Sequence, residues 1–73
     1  MSVLSERLKQ LRIDKSVTQK CIANHLGITE VSMQRFEYGT SRPKLDNLIV
    51  LADYFGVSLD YLVGRTDNPA INK

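Results

Sequence analysis

Four glycines, Gly27, Gly39, Gly56 and Gly64, divide the chain into segments too short for anything but brief helices. Each directly follows a stretch whose apolar residues recur at helical spacing. Glycine there accepts the left-handed conformation that ends a helix. Leu4, Leu8 and Leu11 form the first stripe; Ser2 can cap it, and it should end near Asp14–Ser16. Thr18 opens a second segment, with Ile22, Ala23 and Leu26 inward, closed by Gly27. Thr29 can cap a third, from about Glu30 to Tyr38. Pro43 suits the start of a fourth, carried by Leu45, Leu48, Leu51, Ala52 and Phe55. Ser58 caps a last helix, Leu59–Leu62. No strand alternation or repeat interrupts this pattern. The expected fold is all-α, a compact bundle of five short helices. Residues 1–64 form the domain, and residues 65–73 form a polar tail or a linker cut from a longer chain.

The chain has 73 residues, 42% of them hydrophobic, which suffices for one small core and leaves no room for a deep substrate cleft. Cys21 is the single cysteine, so no internal disulfide forms. Cys21 and His25 could share a helical face, but two ligands do not make a structural zinc site, and no metal or cofactor is expected. His25 lacks a nucleophile and an orienting acid at identifiable spacing, so it reads as an exposed helix residue and no catalysis is expected. Cys21 reads as a partly buried small apolar residue. Asp46, Asp53, Asp60 and Asp67 recur every seven residues, but Gly56 and Gly64 break the helix that would stack them. The longest apolar run, Leu48–Ala52, is far short of a membrane span. Glu6, Arg7 and Lys9 sit where a signal peptide needs an apolar stretch, so a cytoplasmic protein is expected.

Charge is unevenly spread. Residues 1–42 carry seven Lys/Arg against four acids, and residues 43–73 carry three against four. A basic front half hints at a polyanion-facing surface, though an ordinary solvated surface explains it equally well.

The middle of the chain says most. Two short helices joined by Gly27-Ile28-Thr29 must cross steeply, as in a helix-turn-helix. Ala23 permits close approach of the axes, and Ile28 can plug the core beneath the turn. On a wheel stepping about 100° per residue, Thr29, Met33, Phe36 and Glu37 share one arc. Val31, Gln34, Arg35 and Tyr38 take the opposite one, with Glu30 at the exposed amino end. That outward set can read base edges: Arg suits guanine, Gln adenine, a carboxylate cytosine and an apolar group the thymine methyl. Any surface helix also shows a mixed outward face, so the wheel alone leaves both readings open.

Several stretches occur in an ordered register: Leu8-Lys9-Gln10-Leu11-Arg12, Thr18-Gln19, Ile22-Ala23, Leu26-Gly27-Ile28, Phe36-Glu37 with Gly39, Arg42-Pro43, and Leu59-Asp60-Tyr61-Leu62. Together they resemble the phage-repressor (XRE-like) family of helix-turn-helix DNA-binding domains, over roughly residues 4–64. The resemblance implies sequence-specific binding of double-stranded DNA by a transcriptional regulator, a repressor in the first instance, with residues 30–38 in the major groove. It implies base reading by Glu30, Val31 and Arg35, with Ser32 and Gln34 as secondary candidates. It implies backbone contacts by Thr18 and Gln19 at the start of the second helix, and by Tyr38, Thr40, Ser41 and Arg42 after the third. It also implies an internal ion pair between Arg12 and Glu37.

Two features depart from the family. Thr40 and Ser41 stand where lysines are common, which weakens non-specific attraction. Glu30 either reads cytosine or simply favours a helix amino end. The partner is expected to be a palindromic operator bound by a homodimer, weak or DNA-assisted, through Tyr54, Tyr61 and Val63. The alternative is a protein-docking or antitoxin-like module built on the same bundle.

Overall fold

A computed structural model describes residues 2–71; Met1 and the last two positions of the expected tail, Asn72 and Lys73, lie outside the described residues. Five helices follow in order among them: α1 (Val3–Asp14), α2 (Gln19–Leu26), α3 (Glu30–Tyr38), α4 (Leu45–Phe55) and α5 (Leu59–Val63). The all-α bundle expected from periodicity is the fold observed, with no strand among the described residues. No helix there is long and apolar enough to cross a membrane.

The starts and stops have local causes. Ser2, Thr18, Thr29 and Ser58 each accept a hydrogen bond from the amide three residues on, satisfying one of the free donors of the first turn. Beyond Gly27, the Ile28 N–H reaches back to Ala23 C=O at 3.0 Å while Gly27 itself donates to Asn24 C=O at 3.2 Å. This double closure turns the chain sharply into Thr29. Gly64 has a second constraint: a Cβ there would stand 2.8 Å from Val3 Cγ1.

Two details differ from expectation. α1 ends without a glycine: Ser16 takes the left-handed conformation itself, with φ 59°, and its N–H donates to Ile13 C=O. Pro43 does not begin α4. It is buried one position before Lys44, which precedes the first helical residue, and shares a cavity wall with Leu48. That is the geometry of a hydrophobic staple, fixing the angle at which the chain enters α4.

The core gathers Leu8 of α1, Ile22 and Ala23 of α2, Met33 and Phe36 of α3, Leu51 and Ala52 of α4, and Leu62 of α5. Each fully buried large aliphatic side chain is worth about 1.5–3 kcal/mol relative to exposure. α3 presents Met33 and Phe36 inward, and α2, whose Ala23 is 1% exposed, packs against it. The outward face of α3 is therefore held from behind by α1 and α2.

The expected tail is tied back to the bundle. The Arg7 guanidinium donates to the carbonyls of Tyr61 and Thr66 and to Asp67 Oδ1, and lies 4.1 Å above the Tyr61 ring. Ser58 N–H donates to Pro69 C=O at 3.0 Å. A half-buried cation finds these acceptors only if residues 66–67 pass beside α1.

Candidate nucleic-acid interface

α3 presents its two arcs as the 3.6-residue repeat requires. Met33, Phe36 and Glu37 are buried, whereas Val31 is 52% and Tyr38 70% exposed. Arg35 is exposed, and no carboxylate among the described residues, Glu30 included, lies within ion-pair distance of it. Its fork of donors is free for a planar acceptor pair. Glu30 is exposed in the first turn, and Gln34 is half-exposed. Ser32 is placed differently from the rest. Its amide and its hydroxyl are both engaged by the Thr29 cap, at 3.1 and 3.0 Å, and it is half-buried.

Glu37 sits at the centre of a buried polar network. Arg12 grips it as a fork, Nε on Oε2 at 2.7 Å and Nη2 on Oε1 at 3.1 Å, and also donates to Val17 C=O. Gln19 Nε2 adds a third donor to Oε1 at 3.1 Å. Glu37 is 4% exposed, so these bonds replace its lost hydration. The network joins α1, the α1–α2 turn, the start of α2 and α3. Gln19 is thereby oriented at an amino terminus whose first turn holds no acid. The amides and dipole of that end favour an anion. Thr18 stands beside it, its oxygen occupied as a cap by Cys21 N–H.

Arg12, Gln19, Gln34, Glu37 and Tyr38 line one cleft of about 310 Å³. Lys9 lines it too, and sequence reasoning missed it. Its signal was the i, i+3 relation to Arg12 on α1. Beyond α3, the Thr40 hydroxyl donates to Arg35 C=O at 3.4 Å, Ser41 is half-buried and Arg42 is exposed. Arg42 borders a different cavity, with Val3, Pro43, Leu48 and Val63.

The residues of the expected partner surface, Tyr54, Tyr61 and Val63, are half-buried, and both tyrosines also have neighbours within the molecule. Tyr54 packs on His25 at 4.7 Å between ring centroids and edge-on to Phe55, with Lys15 Nζ above it. Desolvation, and then neighbouring Cys21, hold its phenol above the ordinary range. Tyr61 lies under Arg7, and Val63 is half-buried. The exposed apolar side chains of the rear half are Leu45, Ile49 and Val50 of α4, with Ile71. Cys21 is exposed rather than partly buried, because Ile22 and Ala23 take the inward arc. No group of three metal-ligating side chains occurs among the described residues.

This arrangement is similar to known proteins. The helix-turn-helix family profile HTH_3 matches residues 8–62. The chain is 39% identical over 64 residues to the HTH-type transcriptional regulator YobD of Bacillus subtilis, covering 88% of this chain and 57% of that protein. It is 36% identical over 62 residues to the cryptic phage CTXphi transcriptional repressor RstR of Vibrio cholerae serotype O1, covering 85% of this chain and 55% of RstR. The chain thus spans little more than half the length of these curated relatives. In fold it resembles the P22 c2 repressor protein, solved in complex with a synthetic operator, with a TM-score of 0.79 at 24% identity, over 86% of this chain and 96% of that one.

Proposed function

Because the chain belongs to the HTH_3 helix-turn-helix family, we propose that it binds double-stranded DNA sequence-specifically as a transcriptional regulator, acting as a repressor. The observation that carries this reading is the outward face of α3. Val31 and an unpaired Arg35 stand one turn apart on a helix braced from behind by Met33, Phe36 and the Glu37 network. In this reading α3 enters the major groove. Arg35 takes the O6 and N7 acceptors of guanine, Val31 meets a thymine methyl nearby, and Glu30 and Gln34 flank them. Ser32, spent on its cap, supports the helix start and reads less. Thr18, Gln19, Tyr38, Thr40, Ser41 and Arg42 meet the sugar-phosphate backbone, setting register without reading sequence. Two copies bind half-sites about 34–36 Å apart on a palindromic operator. The exposed apolar surface of the rear half is modest, which favours pairing assisted by DNA. The role calls for no cofactor and no catalysis, and it is exercised in the cytoplasm.

Selection of bound duplexes from random DNA should return a two-fold symmetric sequence with a G·C pair at one fixed position in each half-site. Arg35→Ala should cost about 1–3 kcal/mol on that sequence and much less once the pair is changed. Equal weakening on every duplex would assign Arg35 to the backbone. A selection that enriches nothing would leave a protein-docking module, for which Arg35→Ala has no effect on DNA.

A further inference from the structure

A cavity of about 310 Å³ opens where the start of α1, the loop before α4, α4 itself and the end of α5 meet. Its apolar walls are Val3, Leu4, Pro43, Leu48 and Val63. These walls are set before any ligand arrives. The Ser2 cap fixes the first turn of α1, and the proline ring fixes the backbone at Pro43. Val3 lies against Gly64, where a Cβ would stand 2.8 Å from its Cγ1. Small-molecule cavities run from about 300 to 1,000 Å³, so this one suits only a small ligand. One charge stands on the lining. Arg42 is exposed, and among the described residues no carboxylate lies within ion-pair distance of its guanidinium. The other polar lining residue, Ser2, has its hydroxyl engaged with Ser5. A guanidinium offers a fork of donors that a carboxylate matches with both oxygens, and such charge-assisted pairs are the strong ones. Apolar walls with one unpaired cation and no acid fit an aliphatic body that ends in a carboxylate.

We propose that this cavity binds a small aliphatic monocarboxylate, its chain against Leu4, Leu48 and Val63 and its carboxylate on Arg42. The proposed function gives the same guanidinium a contact with the DNA backbone. One fork cannot serve a carboxylate in the cavity and a phosphate outside it in the same geometry. The bound ligand therefore withdraws a backbone contact and weakens binding to every duplex alike, because such contacts carry no sequence information. This consequence rests on the DNA-binding reading; the site itself does not.

Octanoate, kept below its micellar concentration, is the probe, and the methyl resonances of the full chain without DNA are the first readout. Those of Val3, Leu4, Leu48 and Val63 should shift together and saturate, while Val31 and Val50 stay in place. From butyrate to octanoate, affinity should rise by up to about fourfold per methylene, as each CH₂ leaves water. Octan-1-ol and octylamine should bind about tenfold more weakly than octanoate, and Arg42→Ala should lose about the same factor for octanoate. Arg42 is exposed, so that variant should melt with the parent. In a second arm, octanoate should weaken wild-type binding to selected and unrelated duplexes by one common factor and leave Arg42→Ala binding unchanged. Shifts centred instead on Ile49 and Val50, which are exposed on α4, would mark surface adsorption and overturn the site. Equal affinity for octan-1-ol, or an Arg42→Ala protein that binds octanoate like the wild type, would overturn it too. DNA binding that ignores octanoate while the methyls respond would overturn the withdrawal of Arg42. A protein whose methyls respond but which binds no duplex keeps the site and loses the DNA-binding reading. One that binds its duplex with no methyl response loses the site alone.

Discussion

Met33→Ala is expected to lower the free energy of unfolding by about 2–5 kcal/mol. Met33 is fully buried between α3 and the rest of the core, so truncation leaves a cavity that neighbouring helices cannot collapse into without moving α3. Natural domains hold about 5–15 kcal/mol in total, and one this small belongs at the low end. The variant should therefore be largely unfolded near growth temperature. Met33→Leu, which conserves volume, should cost less than about 1.5 kcal/mol. Urea titration separates the two cases: the midpoint should fall steeply for alanine at unchanged slope and barely for leucine. If alanine melts with the parent, α3 is rotated about its axis and Val31 and Arg35 do not face outward.

Removing the Glu37 carboxylate should cost about as much by a different route. Glu37→Ala strips the Arg12 guanidinium of its forked partner and Gln19 of its acceptor. Breaking a buried ion pair costs about 3–5 kcal/mol, because one charge remains desolvated and unmatched. Arg12 is 17% exposed, which places the expected loss at the lower end, as water reaches the freed charge. Arg12→Leu combined with Glu37→Leu should recover most of the loss, since a well-packed apolar pair avoids the desolvation altogether. A double-mutant cycle checks this. Single losses below about 1 kcal/mol that simply add would show that the fork contributes nothing beyond surface attraction. The restored double variant should still bind DNA poorly, because Gln19 has lost the group that orients it.

These two sites also show what local sequence conveys. The Met33 arc is legible because it needs only the repeat of one helix. The helix ends are legible for the same reason: a hydroxyl cap acts on an amide three residues away, and a glycine acts on its own turn. The position of Pro43 depends instead on the cavity wall it shares with Leu48, and the left-handed Ser16 on how α1 gives way to α2. The neighbours of Tyr54 and Tyr61 are not legible in sequence, because His25 comes from α2, Lys15 from the turn after α1 and Arg7 from α1. Lys9 escaped notice because its cleft exists only once α1, α2 and α3 meet. Within the candidate site, the outward face of α3 is written in one segment and was readable. The partner of Gln19, Glu37, is set by a contact between helices that composition and periodicity do not carry.

The Arg7 clasp bears on the order in which the molecule opens. Its bonds to Thr66 and Asp67 span 59 and 60 positions of chain, whereas α2 and α3 are joined by three residues. Closing a long loop costs entropy before any contact repays it, so α2 and α3 meet early in folding and the clasp closes late. Opening runs in reverse: α5 and the following segment leave α1 first, with an open form populated well before global unfolding. In that form the helix pair facing outward is expected to stay assembled while Tyr61 is uncovered, which hydrogen exchange would register as lower protection in α5 than in α2 and α3. Any force or binding event applied near residues 65–70 thus acts first on the seam between α1 and α5, and reaches α3 only through α1.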